Sequence, residues 1–260
     1  MLPWFKSRIH HWKFLCDFFV KTNQWLSSER LSKSNFVLLQ LMNMLQQTLR
    51  LLWRDWVLEW RTRYALSGIL LYVFATIVLV YSALIDIQPQ VWNALFWIII
   101  LFAAISAIVK SFVQESQQRQ LYYYSLVHPL ALLIAKMIYN TTLLFILSLL
   151  SWLVLGLLTG NPVKDTGLFV LAIFLGSVGL SIAFTFISAI SAKAQNSATL
   201  MAVLGFPVII PILLILVKIG ANALRLMQDT AIGGDILILV AINLVLLSVS
   251  ILLYPFLWRD

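Results

Sequence analysis

Lys164 stands in TGNPVKDTG, residues 159–167, the closest this 260-residue chain comes to a phosphate-binding loop. A Gly-x-x-x-x-Gly-Lys-Ser/Thr loop needs glycines that let backbone N–H groups cradle phosphate, set between a strand and a helix. Lys164 has neither, and the motif occurs nowhere else, so the chain does not itself hydrolyse ATP. Cys16 is the single cysteine, which excludes an intramolecular disulfide and a cysteine-based metal site. Inside the apolar runs charge is nearly missing. Lys136 is expected to snorkel its ammonium to the membrane interface, and no proton relay or ion path is visible. Ser177, Ser181, Thr185 and Ser188 recur at helical spacing beside Gly176, Gly179 and Ala183. Such a small-residue face lets helices approach closely, a packing role that outweighs a polar substrate path. Pro207 and Pro211 are expected to kink the helix that holds them.

The elements that carry these residues are six long apolar runs, 67–84, 91–109, 130–158, 168–190, 199–219 and 236–257. Each can cross a hydrocarbon core, which needs roughly 20 apolar residues of helix. A soluble all-α protein would show polar stripes every third or fourth residue, and stretches such as 95–105 have almost none. With 62% hydrophobic and 11% charged residues, the composition excludes an ordinary soluble domain. The expected fold is an all-α polytopic membrane protein, six transmembrane helices preceded by an amphipathic interfacial helix.

Lysine and arginine are retained on the cytoplasmic side. With the N-terminus inside, ten precede the first run, and Lys110, Arg119, Lys136, Lys193 and Arg259 fall on or near the same side. Only Lys164, Lys218 and Arg225 lie opposite. Both termini are therefore expected in the cytoplasm, and the net charge of +8 reflects topology and attraction to anionic membrane lipid, not nucleic acid.

Residues 1–43 are basic and aromatic, without the apolar core and small-residue cleavage site of a signal peptide. They read as a cytoplasmic extension lying on the membrane surface, or as the product of a misassigned start, Met42 or Met44 being the alternatives. Residues 44–66 form the expected amphipathic helix. Leu45, Leu49, Leu52, Trp53, Trp56 and Trp60 draw one apolar stripe flanked by Arg50, Arg54, Arg61 and Arg63. Indole rings favour the interface, so this helix should lie flat on the membrane or else pack on another element. Residues 67–260 are the permease-like membrane domain.

The longest inside loop between runs, 110–129, reads KSFVQESQQRQLYYYSLVHP. A polar stretch holding Glu115 and Arg119 leads into the aromatic Tyr122, Tyr123 and Tyr124, then His128, and Pro129 opens the next helix. A short surface helix is expected here, its tyrosines serving either as interfacial belt residues or as a protein-docking face.

Phe112-x-x-Glu115, followed by Leu126, Pro129 and the Ala135-Lys136 pair, resembles the corresponding stretch of the haem exporter protein B (CcmB) family. That family supplies the permease subunit of an ABC-2-type transporter in cytochrome c maturation. Residues 196–213, with Pro207 and Pro211 four apart, and the small-residue run 175–180 are similar as well. The likeness covers the chain from about residue 45 onward. Between the Phe-x-x-acid motif and the proline the family usually carries a glycine and an acidic residue, where this chain has Arg119, Gln120 and the tyrosine triplet.

The resemblance implies a bacterial cytoplasmic (inner) membrane subunit that couples ATP hydrolysis on a separate ABC ATPase subunit to haem export or to release of a haem-loaded chaperone. It implies as partners that ATPase, a haem-handling membrane subunit, a haem chaperone and a paired permease, including a homodimer. Phe112, Glu115, Arg119, Tyr122, Tyr123, Tyr124, His128 and Pro129 would then form the ATPase-coupling loop. Haem would be the substrate and not a cofactor bound directly. Its axial ligands are most often His, Met or Cys, and His10, His11 and His128 all fall on the expected cytoplasmic side. Met201 and Met227 read as packing or loop residues. The alternatives are an ABC-2-type export permease for a lipid or drug, a non-transporting membrane scaffold and a proton-coupled carrier, the last disfavoured by the lack of buried charge.

Overall fold

The computed structural model describes residues 44, 46–57, 64–83, 87–113, 129–191, 197–226 and 232–259. Among them the regular structure is helical throughout: α1 (residues 46–57), α2 (Tyr64–Ala83), α3 (Pro89–Val113), α4 (Pro129–Thr159), α5 (Thr166–Ser191), α6 (Ser197–Ala223) and α7 (Ile232–Arg259). All seven belong to one unit, Leu45–Asp260. Five helical stretches are long and apolar enough to cross a membrane: Pro89–Ile108, Pro129–Thr159, Thr166–Ser191, Val203–Ala223 and Ile232–Phe256. The sixth expected span, α2, has 20 residues, ~30 Å of helix at the usual rise. Its described apolar stretch, Ser67–Ala83, is shorter than the other five.

Prolines open α3 and α4 at Pro89 and Pro129, where the missing N–H leaves no helix bond unmade. Asp165 caps α5 by accepting the Leu168 N–H on Oδ1 at 3.0 Å. The end of α6 is closed by two backbone bonds, Leu226 N to Ala221 O at 3.0 Å and Arg225 N to Asn222 O at 2.9 Å. Those bonds require the left-handed backbone that Arg225 adopts, φ 55, at a position where glycine is usual. The 160–165 connection docks on the same helix end, since the N–H groups of Lys164 and Asp165 both donate to Ala223 O.

α5 is the centre, packing against α3, α4, α6 and α7. Its buried residues run from Phe169 to Ser191, while α2, α6 and α7 carry long rows of exposed apolar side chains such as Leu71, Leu214 and Leu252. Those rows match a hydrocarbon surrounding.

One expectation is corrected. Lys136 is only 3% exposed: it is buried by protein between Ala135, which packs on α1, and Met137, which packs on α5 and α7, instead of reaching out to the interface. The expected amphipathic helix, α1, divides its apolar residues between two sides. Leu51 and Leu52 of α1 pack on Leu132 and Ala135 of α4, and Trp56 meets the Tyr139 ring edge-on at 6.3 Å. Leu49, Trp53 and Val57, four apart, form a separate exposed ridge. α1 is thus held by protein on one side and presents indole and aliphatic groups on the other.

Candidate functional site

The segment between α3 and α4 is bounded by Val113 and Pro129. Phe112 falls in the last turn of α3 rather than in a surface helix. Glu115, Arg119, Tyr122, Tyr123, Tyr124 and His128 lie outside the described residues. The first three turns of α4, which follow this segment, are fastened on two sides. One side is the α1 contact. On the other, Leu133 and Met137 pack with Ile182 of α5 and Tyr254 of α7.

Hydrogen bonds continue that attachment. The Ser181 hydroxyl donates to Met137 O at 2.9 Å, and Asn140 Nδ2 donates to Thr185 Oγ1 at 2.9 Å. Ser181 and Thr185 are four residues apart, one above the other on α5, and both are fully buried. Two bonds one turn apart resist sliding of α4 along α5 better than either does alone.

From α5 the seam passes to α7 and α6 through glycines. Asn243 Nδ2 donates to Leu175 O at 3.1 Å, and a Cβ on Gly179 would collide with Asn243 Oδ1. At Gly176 a Cβ would lie 3.0 Å from both methyls of Leu216 and 3.1 Å from the Trp97 ring. Ser181, Gly176 and Gly179 therefore share the buried side of α5, but each meets a different neighbour. Pro207 and Pro211 lie inside α6, which runs without interruption through both.

At the opposite end of the bundle lies an aromatic cluster that sequence reasoning missed. Trp92 stacks on Phe96 at 5.8 Å, Phe96 and Trp152 each meet Phe169 at 5.1 and 5.4 Å, and Trp92 Nε1 donates to Thr159 Oγ1 at 2.9 Å. Asn93 accepts from Trp97 Nε1 at 3.1 Å and donates to Val217 O at 2.7 Å. Its only sequence signal was an amide within an otherwise apolar run.

An ion pair also went unforeseen. Lys218 Nζ donates to Asp235 Oδ1 at 3.0 Å, joining α6 to the first turn of α7. Asp235 Oδ2 lies as near at 3.0 Å but without hydrogen-bond alignment. The carboxylate is nearly buried and the ammonium half-exposed, so the charge on Asp235 needs Lys218 beside it. One turn from Lys218, Asn222 is 5% exposed, and neither atom of its amide has a hydrogen-bond partner.

Among the described residues no three His, Cys, Asp or Glu side chains gather into a metal-binding group. The seam's groups are amides, hydroxyls and glycine gaps, which orient helices and move no protons at neutral pH. They fix the positions of α4, α6 and α7 on α5.

The CcmB protein family model matches residues 46–258. No curated protein and no solved structure matches the chain. The family match covers the whole helical unit from α1 to α7.

Proposed function

Because the chain belongs to the CcmB protein family, the membrane component of haem export, we propose that it is the permease subunit of an ABC-type complex for cytochrome c maturation. A separate ATPase subunit hydrolyses ATP and pushes on the 110–129 loop. The push couples either to haem export or to release of a haem-loaded chaperone. The observation that carries this reading is the family match together with the attachment of α4, directly after that segment, to α1, α5 and α7 by packing and by the Ser181 and Asn140 hydrogen bonds.

In this reading both termini face the cytoplasm, as the lysine and arginine distribution favours. The aromatic cluster and the Lys218–Asp235 pair then face outward. The chain itself is a transporter component and not an enzyme, and its partners are the ATPase, a haem-handling membrane subunit and a haem chaperone.

Glu115→Lys combined with Tyr123→Ala tests the coupling surface, since Glu115 and the tyrosine triplet are the groups that segment offers a protein partner. The double variant is expected to insert in the membrane normally, to lower recovery of the ATPase on affinity purification and to lower c-type cytochrome assembly. Unchanged recovery of the ATPase would remove this segment from the docking role.

A further inference from the structure

Lys164, Lys218 and Arg225 meet at one end of α6. The Lys164 N–H donates to Ala223 O at 3.2 Å, which sets Lys164 beside the last helical residue. Arg225 follows in the left-handed turn that closes the helix. Lys218 and Asn222 are one turn apart on α6, and Arg225 comes three residues further on.

These cations are unequally used. Of the acids nearby, Asp235 holds Lys218, Asp165 caps α5 and Asp229 lies outside the described residues. Lys164 and Arg225 are exposed, and among the described residues neither has an ion-pair partner. Between Lys218 and Arg225, Asn222 is buried with no hydrogen-bond partner on either amide atom. Leaving such a group unpaired is costly, and a polar atom brought to it would relieve that cost.

On the membrane side of these groups the same stripe turns apolar. Leu214, one turn before Lys218, is 67% exposed, and Ile210, one turn earlier again, is 49% exposed. The cations thus stand at the limit of the membrane-crossing stretch Val203–Ala223, directly above an aliphatic row. Acyl chain below and phosphate above are the two chemistries of an anionic phospholipid, and basic groups at this depth attract such headgroups. A soluble anion would leave the aliphatic row unused.

We propose that this end of α6 binds an anionic phospholipid, its phosphate between Lys164, Arg225 and Asn222, and its acyl chain along Leu214 and Ile210. Lys218, fixed by Asp235, adds positive charge at the base of the site. The Asn222 amide is sealed from solvent in this structure, and turning it toward the phosphate gives its nitrogen the acceptor it lacks. The proposal rests on α6 lying in a membrane and not on what the complex moves.

A phosphatidylglycerol analogue with a diazirine in its acyl chain tests it, photolysed at sub-saturating lipid on the full chain in nanodiscs and then mapped by peptide mass. Adducts are expected between Ile210 and Lys218, in excess over the matching phosphatidylcholine analogue. Lys164→Gln and Arg225→Gly should each lower the phosphatidylglycerol yield roughly fivefold, the effect of one charge near the membrane surface, and leave the phosphatidylcholine yield unchanged. Glycine also suits the left-handed backbone, so the turn stays formed. Asn222→Leu replaces an unpartnered amide by an apolar group of similar size, so it should keep the chain folded and still lower the yield. Equal labelling by the two lipids would make the stripe ordinary lipid-facing surface and overturn the proposal. So would a yield that Lys164→Gln and Arg225→Gly leave unchanged. Loss of the adducts to inorganic phosphate, but not to sodium chloride of equal ionic strength, would mark a free-anion site instead. Absence of the adducts in native membranes would give this end of α6 to a protein partner.

Discussion

Asn93 of α3 fills the gap beside Gly220 of α6, its amide tied to Trp97 Nε1 and to the Val217 carbonyl. The glycine is what lets the two helices approach. A Cβ there would collide with Asn93 Oδ1 and would lie 3.0 Å from Trp97 Nε1.

Gly220→Ala sets two effects against each other. Alanine favours a helix over glycine by about 1 kcal/mol, but accommodating its Cβ means rotating Asn93 and breaking both of its bonds. Overpacking of a tight interior typically costs about 1–3 kcal/mol, so the variant should be less stable. Thermal unfolding in detergent checks this. Combining it with Asn93→Ala removes the nearest obstacle, so the double variant should be more stable than the sum of the single effects predicts.

The Asn140–Thr185 bond ties α4 to α5 near the proposed coupling loop. Interhelical hydrogen bonds in membrane proteins average about 0.6 kcal/mol. Asn140→Ala and Thr185→Val should therefore each cost little stability and show that coupling in a double-mutant cycle. The larger expected effect is functional: under the proposed coupling role both should slow c-type cytochrome assembly more than they reduce protein level, because the seam that would carry motion from α4 is loosened. Assembly that falls only in proportion to protein level would assign the bond to stability alone.

The membrane spans were legible because hydrocarbon leaves a one-dimensional signal, a run of apolar residues with no polar stripe. The helices extend past those runs at nearly every end. α6, for instance, continues beyond Ile219 to Ala223, because a backbone cap and not hydropathy closes it. What was not legible depends on partners far apart in sequence. Nothing near Asn93 points to Val217, and nothing near Asp235 points to Lys218. Which apolar residues of α1 turn inward was not legible for a related reason: Leu51 and Leu49 are equally apolar, and only the presence of Leu132 and Ala135 decides between them. Lys136 looked like an interfacial lysine because its sequence position is near a span end, whereas its burial is a property of the packed bundle.

The family match begins at residue 46. Deletion of residues 1–41, leaving Met42 as the start, should therefore preserve c-type cytochrome assembly in a complementation assay. Loss of assembly at normal protein level would show that the extension contributes to function.

Haem chemistry provides the last test. Axial ligands are most often His, Met or Cys, and the chain's histidines are His10, His11 and His128, all expected on the side away from the aromatic cluster. The cluster itself offers indole and phenyl rings, which can stack on a porphyrin but cannot ligate its iron. The subunit purified alone should accordingly carry no stoichiometric haem, and haem should appear only when a partner supplying ligands is present. Absorbance at the Soret band decides it. A strong band in the isolated chain that disappears in Met227→Ala or His128→Ala would show direct ligation, and would replace the coupling-permease reading with that of a haem-binding subunit.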